Sequence, residues 1–139
     1  HYFERYRGVK DFIERTIARA RETGRIATLL GRIRLLPDMG SSNPTVRGFA
    51  ERTAVNTPIQ GSAADLIKLA MIRLDRALQE GGFQAAMLLS VHDELVLEAP
   101  PGELAAVTAL VREAMERVWD LKVPLKVNTA VGDDWAEAH

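Results

Sequence analysis

Between Gln84 and Ala99 the chain reads QAAMLLSVHDELVLEA, two apolar runs separated by His92, Asp93 and Glu94. Each run has the length of a strand, and three residues are far too few for the crossover that a parallel pair needs. Strands at about 84–91 and 95–99 must therefore pair antiparallel, which excludes a purely parallel sheet. Pro100-Pro101-Gly102 stops the second strand. The turn is unusual, because a tight hairpin loop favours Asn-Gly or Asp-Gly and this one holds three ionisable residues and no glycine.

The remaining segments surround that hairpin with helices. Tyr2, Tyr6, Val9, Ile13 and Ile17 recur at helical spacing, which predicts a short helix, a bend at Gly8 and a longer helix to about Thr23, stopped by Gly24. RIATLLGRIRLLPD alternates loosely, turns at Leu30-Gly31 and is closed by Pro37, as a short two-stranded ribbon does. Ser42 or Asn43 is placed to cap the next helix, with Pro44 at an early position where a missing N–H costs nothing. Pro58 bends or interrupts that helix. A second stretch from about Gln60 carries Ala63, Leu66, Ile67, Ala70, Met71, Leu74 and Leu78 as one apolar stripe and ends at Gly81-Gly82. A helix over 103–118 would bury Leu104, Val107, Val111, Met115 and Val118, and VPLKVNTAV alternates as a last strand. The expected fold is α+β, an antiparallel sheet of the hairpin and the C-terminal strand packed against helices. It divides into helices and an Arg-bearing ribbon over 1–43 and a sheet-bearing segment over 44–139.

Composition removes several kinds of chemistry. With 139 residues and 47% hydrophobic positions, the chain can bury a core. It has no cysteine, and of its three histidines two are terminal, so neither a disulfide framework nor a closed zinc site can be assembled. Its apolar runs are too short to span a bilayer. The net charge of −1 conceals a split. Residues 1–76 hold 14 Lys/Arg against 8 Asp/Glu, and residues 77–139 hold 4 against 11. Fourteen of the cations are Arg, whose planar fork suits phosphate, although solvated helix faces give the same count.

Three constellations could carry chemistry. Adjacent carboxylates at a rigid hairpin tip suit a hard divalent cation shared with phosphates, with Mg2+ the natural ion; a plain solvated turn reads the same way. His92 could be a ligand, a proton shuttle or a backbone donor, or simply a paired residue. Arg52, Asn56 and Gln60 recur every four residues along one helical face and could touch base edges or sugars, or be the wet side of an amphipathic helix. Arg32 and Arg34 project to one side of the ribbon, where phosphate contact is plausible and ordinary exposure equally so.

In the order YFERYRGV, TLLGRIRLLPD, SSNPTVRGFAERTAVNTPIQGSAADLIKLAM, SVHDELVLEAP and VPLKVNTAVGDDWAEAH, the segments resemble the carboxy-terminal part of family A DNA polymerases, the bacterial DNA polymerase I type. N-x-P-x-Q-G-x-A-A-D followed by V-H-D-E-L-V is a specific pair of motifs. The resemblance implies that residues 84–99 are the motif C hairpin of a polymerase palm, accompanied by part of the fingers and thumb-side helices. Asp93 would then be a catalytic, magnesium-binding aspartate and Glu94 its auxiliary carboxylate. His92 would approach the primer end, Arg52, Asn56 and Gln60 would lie along the primer-template minor groove, and Arg32 and Arg34 would face the template. Arg7, Ile33, Leu35 and Ser90 depart from the family's usual residues.

The resemblance further implies template-directed addition of deoxynucleotides to a primer 3′ end by a two-metal reaction, in DNA replication and repair in the bacterial cytoplasm. The expected partners are primer-template DNA, deoxynucleoside triphosphates and the upstream part of the polymerase, which carries the second aspartate; no membrane is involved. Half a metal site is present, so the chain is expected to be an inert fragment by itself, able to self-associate through an exposed sheet edge. The alternative is a non-catalytic nucleic-acid-binding module.

Overall fold

A computed structural model describes residues 2–138. His1 and His139, counted among the histidines above, and the side chain of Tyr2, assigned to the first stripe, lie outside the described residues. The fold is α+β, and the chain divides after Asp65 into two compact units.

The first unit begins with α1 (Tyr2–Arg5) and α2 (Arg7–Thr23). The break falls at Tyr6, whose φ of −117° and ψ of 60° are not helical, and Gly8, expected to mark the bend, lies inside α2. Of the expected stripe, Tyr6 and Val9 stay exposed and Ile13 and Ile17 are half-buried, while the buried residues of α2 are Thr16 and Ala20. Gly24 closes α2 in the left-handed conformation and donates its N–H to the Ala20 carbonyl at 2.9 Å, as expected of a glycine there.

Strands β1 (Arg25–Ala27) and β2 (Ile33–Leu35) form the ribbon, with Ile26 opposite Arg34. Ile26 enters a small core with Ala20, Leu36, Met39, Ala50 and Ala54. A single 3-10 turn, Pro37–Gly40, leads to α3 (Pro44–Asn56). Of the two proposed caps Asn43 serves, accepting the Thr45 N–H at 3.0 Å, with Pro44 opening the helix. An Arg21–Glu51 ion pair at 2.5 Å ties α2 to α3.

Pro58 does not end the helical run. Thr57–Gly61 forms a π turn that leads without interruption into α4 (Ser62–Glu80). Proline removes one N–H and crowds the carbonyl four residues back, and a widened turn accommodates both where a regular α turn would not.

In the second unit, α4 ends in a Schellman motif. Gly82, at φ 65°, donates to Gln79 at 3.1 Å and Phe83 to Leu78 at 3.0 Å. Strands β3 (Ala86–Val91) and β4 (Glu94–Glu98) make the expected antiparallel hairpin, and α5 (Leu104–Glu116) follows. Leu74, Leu78, Ala85, Val107 and Val111 form its core, onto which Met87, Leu95 and Leu97 pack from one face of the hairpin. Leu66, Ala70 and Val118 make a neighbouring cluster with Leu121 and Leu125. The carboxylate of Glu103 accepts the Gln84 and Ala85 N–H groups at 3.0 to 3.1 Å and so pins the entry to β3.

The C-terminal strand expected from VPLKVNTAV does not form among the described residues. The Val127 N–H donates to the Glu116 carboxylate at 3.0 Å, and Arg112 donates to the Thr129 hydroxyl at 3.1 Å. Alternation shows which side of a segment is apolar but cannot supply a ladder partner. Here the Glu116 carboxylate takes one backbone N–H that a neighbouring strand would have taken.

Candidate functional site

The hairpin turn is set by strong pairing on both sides. Val91 lies opposite Glu94, leaving His92 and Asp93 as a two-residue loop. His92 has φ 55°, the left-handed region, and it is the one non-glycine residue with positive φ among the described residues. Two-residue hairpin loops demand positive φ, which glycine supplies without steric cost and histidine does not.

The register slips between Met87 and Leu89, so Leu88 is an extra residue in β3, a bulge that increases the local twist of the strand leading to the turn. His92, Asp93 and Glu94 are all exposed. The side chains of His92 and Asp93 have no hydrogen-bond or ion-pair partner among the described residues. Two adjacent carboxylates are therefore held by backbone pairing and presented to solvent. No group of three or more His, Cys, Asp or Glu gathers to hold a metal among the described residues. Asp93 and Glu94 thus fit an ion that takes only one or two carboxylates and fills its shell with water and phosphate oxygens, as Mg2+ does.

The second candidate region is in the first unit. Arg52, Asn56 and Gln60 are exposed, and none has a side-chain hydrogen-bond partner among the described residues. In a regular helix each four-residue step advances by about 40°. The π turn begins after Asn56 and includes Gln60; a coil wider than 3.6 residues per turn advances less per residue, so Gln60 falls closer to the line of Arg52 than a regular helix would place it.

On the opposite side of the same run, the ribbon's turn is bonded to it. The Thr28 hydroxyl donates to Asp65 Oδ2 at 2.6 Å and Arg32 Nε donates to Asp65 Oδ1 at 2.7 Å. Arg32 Nη2 reaches the Gly61 carbonyl at 3.3 Å, and the Leu29 N–H donates to Ser62 Oγ at 2.7 Å. Ser62 Oγ in turn donates to the Pro58 carbonyl. Thr28, Ser62 and Asp65 are buried. Arg32, whose side chain is 55% exposed, is thus engaged within the unit, whereas the Arg34 guanidinium has no partner among the described residues.

Sequence reasoning did not find Thr28, Ser62 or Asp65. Ser62 and Asp65 adjoin the apolar stripe of α4, where helix periodicity alone reads a helix margin, and Asp65 closes the N-x-P-x-Q-G-x-A-A-D motif; Thr28, in the turn of the ribbon, carried no signal of its own.

No described helix is long and apolar enough to cross a membrane. The family model for DNA polymerase family A matches residues 1–137. DNA polymerase I of Streptococcus pneumoniae strain TIGR4 is 52% identical over 137 residues, covering 99% of this chain and 16% of the relative. DNA polymerase I of Mycobacterium tuberculosis strain H37Rv is 52% identical over 139 residues, covering 99% and 15%. The chain therefore spans about a sixth of the length of these relatives. Among solved structures, the POL domain of Pol1 from M. smegmatis, in complex with DNA primer-template and dNTP, matches with a TM-score of 0.95 and 47% identity, covering 99% of this chain and 24% of that one.

Proposed function

The chain belongs to DNA polymerase family A, and from that premise we propose that it is the motif C segment of a bacterial, cytoplasmic DNA-directed DNA polymerase that adds deoxynucleotides to a primer 3′ end. The observation that carries this reading is the exposed Asp93-Glu94 pair on a rigid two-residue turn. Asp93 is the metal-holding carboxylate and Glu94 its auxiliary. A divalent cation bound there supplies charge stabilisation for the phosphates of the reacting nucleotide. His92, beside them, approaches the primer terminus.

Arg52, Asn56 and Gln60 lie along the minor groove of the primer-template. Acceptors there are nearly independent of sequence, so donors on a single helical face can test the shape of a base pair without reading its identity. Arg34 and the ribbon face the template, and Arg32 contributes whatever its fork leaves free of Asp65 and Gly61.

Two-metal nucleotidyl transfer would need carboxylates enough for two ions. One aspartate with a neighbouring glutamate cannot hold both, so the reaction requires a carboxylate from the upstream part of the polymerase, and the chain by itself does not extend a primer. Among the described residues β3 and β4 each pair along one edge only. Their free edges are where an upstream strand of the polymerase adds, or a second copy of the isolated chain.

The test is Asp93→Ala in a full-length polymerase carrying this segment. Incorporation should fall at least about 100-fold while primer-template affinity stays within about threefold, because a metal ligand is lost and no groove contact is. A binding module without catalysis predicts the opposite: affinity would depend on Arg52, Asn56 and Gln60 with a steep salt slope, and Asp93→Ala would leave activity within tenfold of the parent.

A further inference from the structure

We propose that Asp65 is a positioning residue: with Thr28 and Arg32 it locks the ribbon's turn onto the π turn and so fixes the direction in which Gln60 and Asn56 present their amides. The inference rests on the minor-groove reading of those two residues.

A π turn is a rare and locally unfavourable element that persists where its surroundings enforce it. Around Thr57–Gly61 the surroundings come from the ribbon. Four hydrogen bonds pass from the turn of the ribbon, Thr28 to Arg32, to Gly61, Ser62 and Asp65. Two of them end on the buried carboxylate of Asp65, and the ribbon approaches so closely that a Cβ on Gly61 would lie 2.8 Å from the Thr28 methyl.

The clamp therefore acts directly on the residue after Gln60. Reversion of the π turn to a regular α turn would restore the advance of about 40° per four residues and turn Gln60 away from the line of Arg52. The direction in which Gln60 meets the groove relative to Asn56 would then change. Asp65 itself lies on the buried side of the run while both amides are exposed, so it acts through the turn and not on the duplex.

The experiment uses a full-length polymerase carrying this segment and two primers, one ending in adenine and one in 3-deazaadenine, which lacks the minor-groove acceptor of the terminal base. Single-turnover incorporation is measured on both. In the parent, loss of the acceptor should slow incorporation about tenfold, the worth of one good hydrogen bond. Asp65→Asn keeps the shape and one acceptor but removes the charge that holds Arg32. It should slow incorporation on the natural end about tenfold and shrink the deaza penalty below about threefold, since a misdirected donor no longer feels the missing acceptor.

Thr28→Val, an isosteric change on the ribbon side, should do the same in smaller measure and stands in if Asp65→Asn does not fold. A full parental penalty in whichever of the two folds would overturn the proposal even if the rate falls, because destabilisation alone slows both primers equally. Absence of a penalty in the parent would instead overturn the groove reading itself, and this inference with it.

Discussion

Gly61→Ala places two opposing effects on one methyl group. In a helical interior, alanine is favoured over glycine by about 0.8–1.0 kcal/mol. Against that, the new Cβ would lie 2.8 Å from Thr28 Cγ2, while its distances to Arg32 Nη2 and Thr57 Cγ2, both 3.6 Å, are ordinary contacts. Thr28 cannot swing its methyl aside without cost, because its hydroxyl donates to Asp65 and accepts the Arg32 N–H at 3.1 Å. Overpacking of a fixed site costs about 1–3 kcal/mol, so the clash outweighs the propensity and Gly61→Ala should destabilise the chain by about 1 kcal/mol.

Thr28→Ser removes the clashing methyl and keeps the hydroxyl. It should itself cost about 0.8 kcal/mol for the buried methyl. In that background Gly61→Ala meets no clash and should become stabilising by up to about 1 kcal/mol. The assay is urea denaturation of the four proteins of the cycle, with an expected coupling of about 2 kcal/mol. Equal destabilisation by Gly61→Ala in both backgrounds would refute the idea that glycine is required at 61 for the approach of the ribbon.

Two other outcomes are open to direct measurement. Left-handed backbone at a β-carbon-bearing residue costs about 1–2 kcal/mol, and the extra chain entropy of glycine returns about 0.5–1, so His92→Gly should raise thermal stability by about 0.5–1 kcal/mol while lowering incorporation in the full-length enzyme; a fall in melting temperature would remove the case for strain at the turn. The isolated chain, with β3 and β4 each unpaired along one edge among the described residues, should form dimers or larger species as its concentration rises, and a strict monomer by light scattering at high concentration would count against edge pairing.

Much of this fold could be read from residue order because its rules are local. The hairpin over 84–99, the Asn43-Pro44 helix start and the Gly24 and Gly82 stops depend on a few neighbouring residues and form where expected. What failed depends on distant partners. VPLKVNTAV has strand-like alternation, but a strand is a pair, and its N–H at Val127 is taken by Glu116. The break at Tyr6 in place of Gly8 reflects how little a single exposed glycine dictates when nothing lies within 4 Å of it. The Thr28–Asp65 bond joins residues 37 apart, and no periodicity reports a bond of that span.

The candidate site stands out in the sequence for a different reason: it is where local preference is violated. A chain whose propensities agree with its fold would place glycine or asparagine in a two-residue turn and would keep proline out of a long helix. This chain does neither. Packing accounts for Gly61, since Thr28 occupies the space a Cβ would need. It does not account for His92, which is exposed and has no side-chain partner among the described residues. Pro58 sits in a widened turn that buries Thr57 on one side and presents exposed Gln60 on the other. Both irregularities adjoin exposed polar side chains, Asp93 at the one and Gln60 at the other, that have no hydrogen-bond or ion-pair partner among the described residues, and under the proposed function a duplex and a cation would engage them.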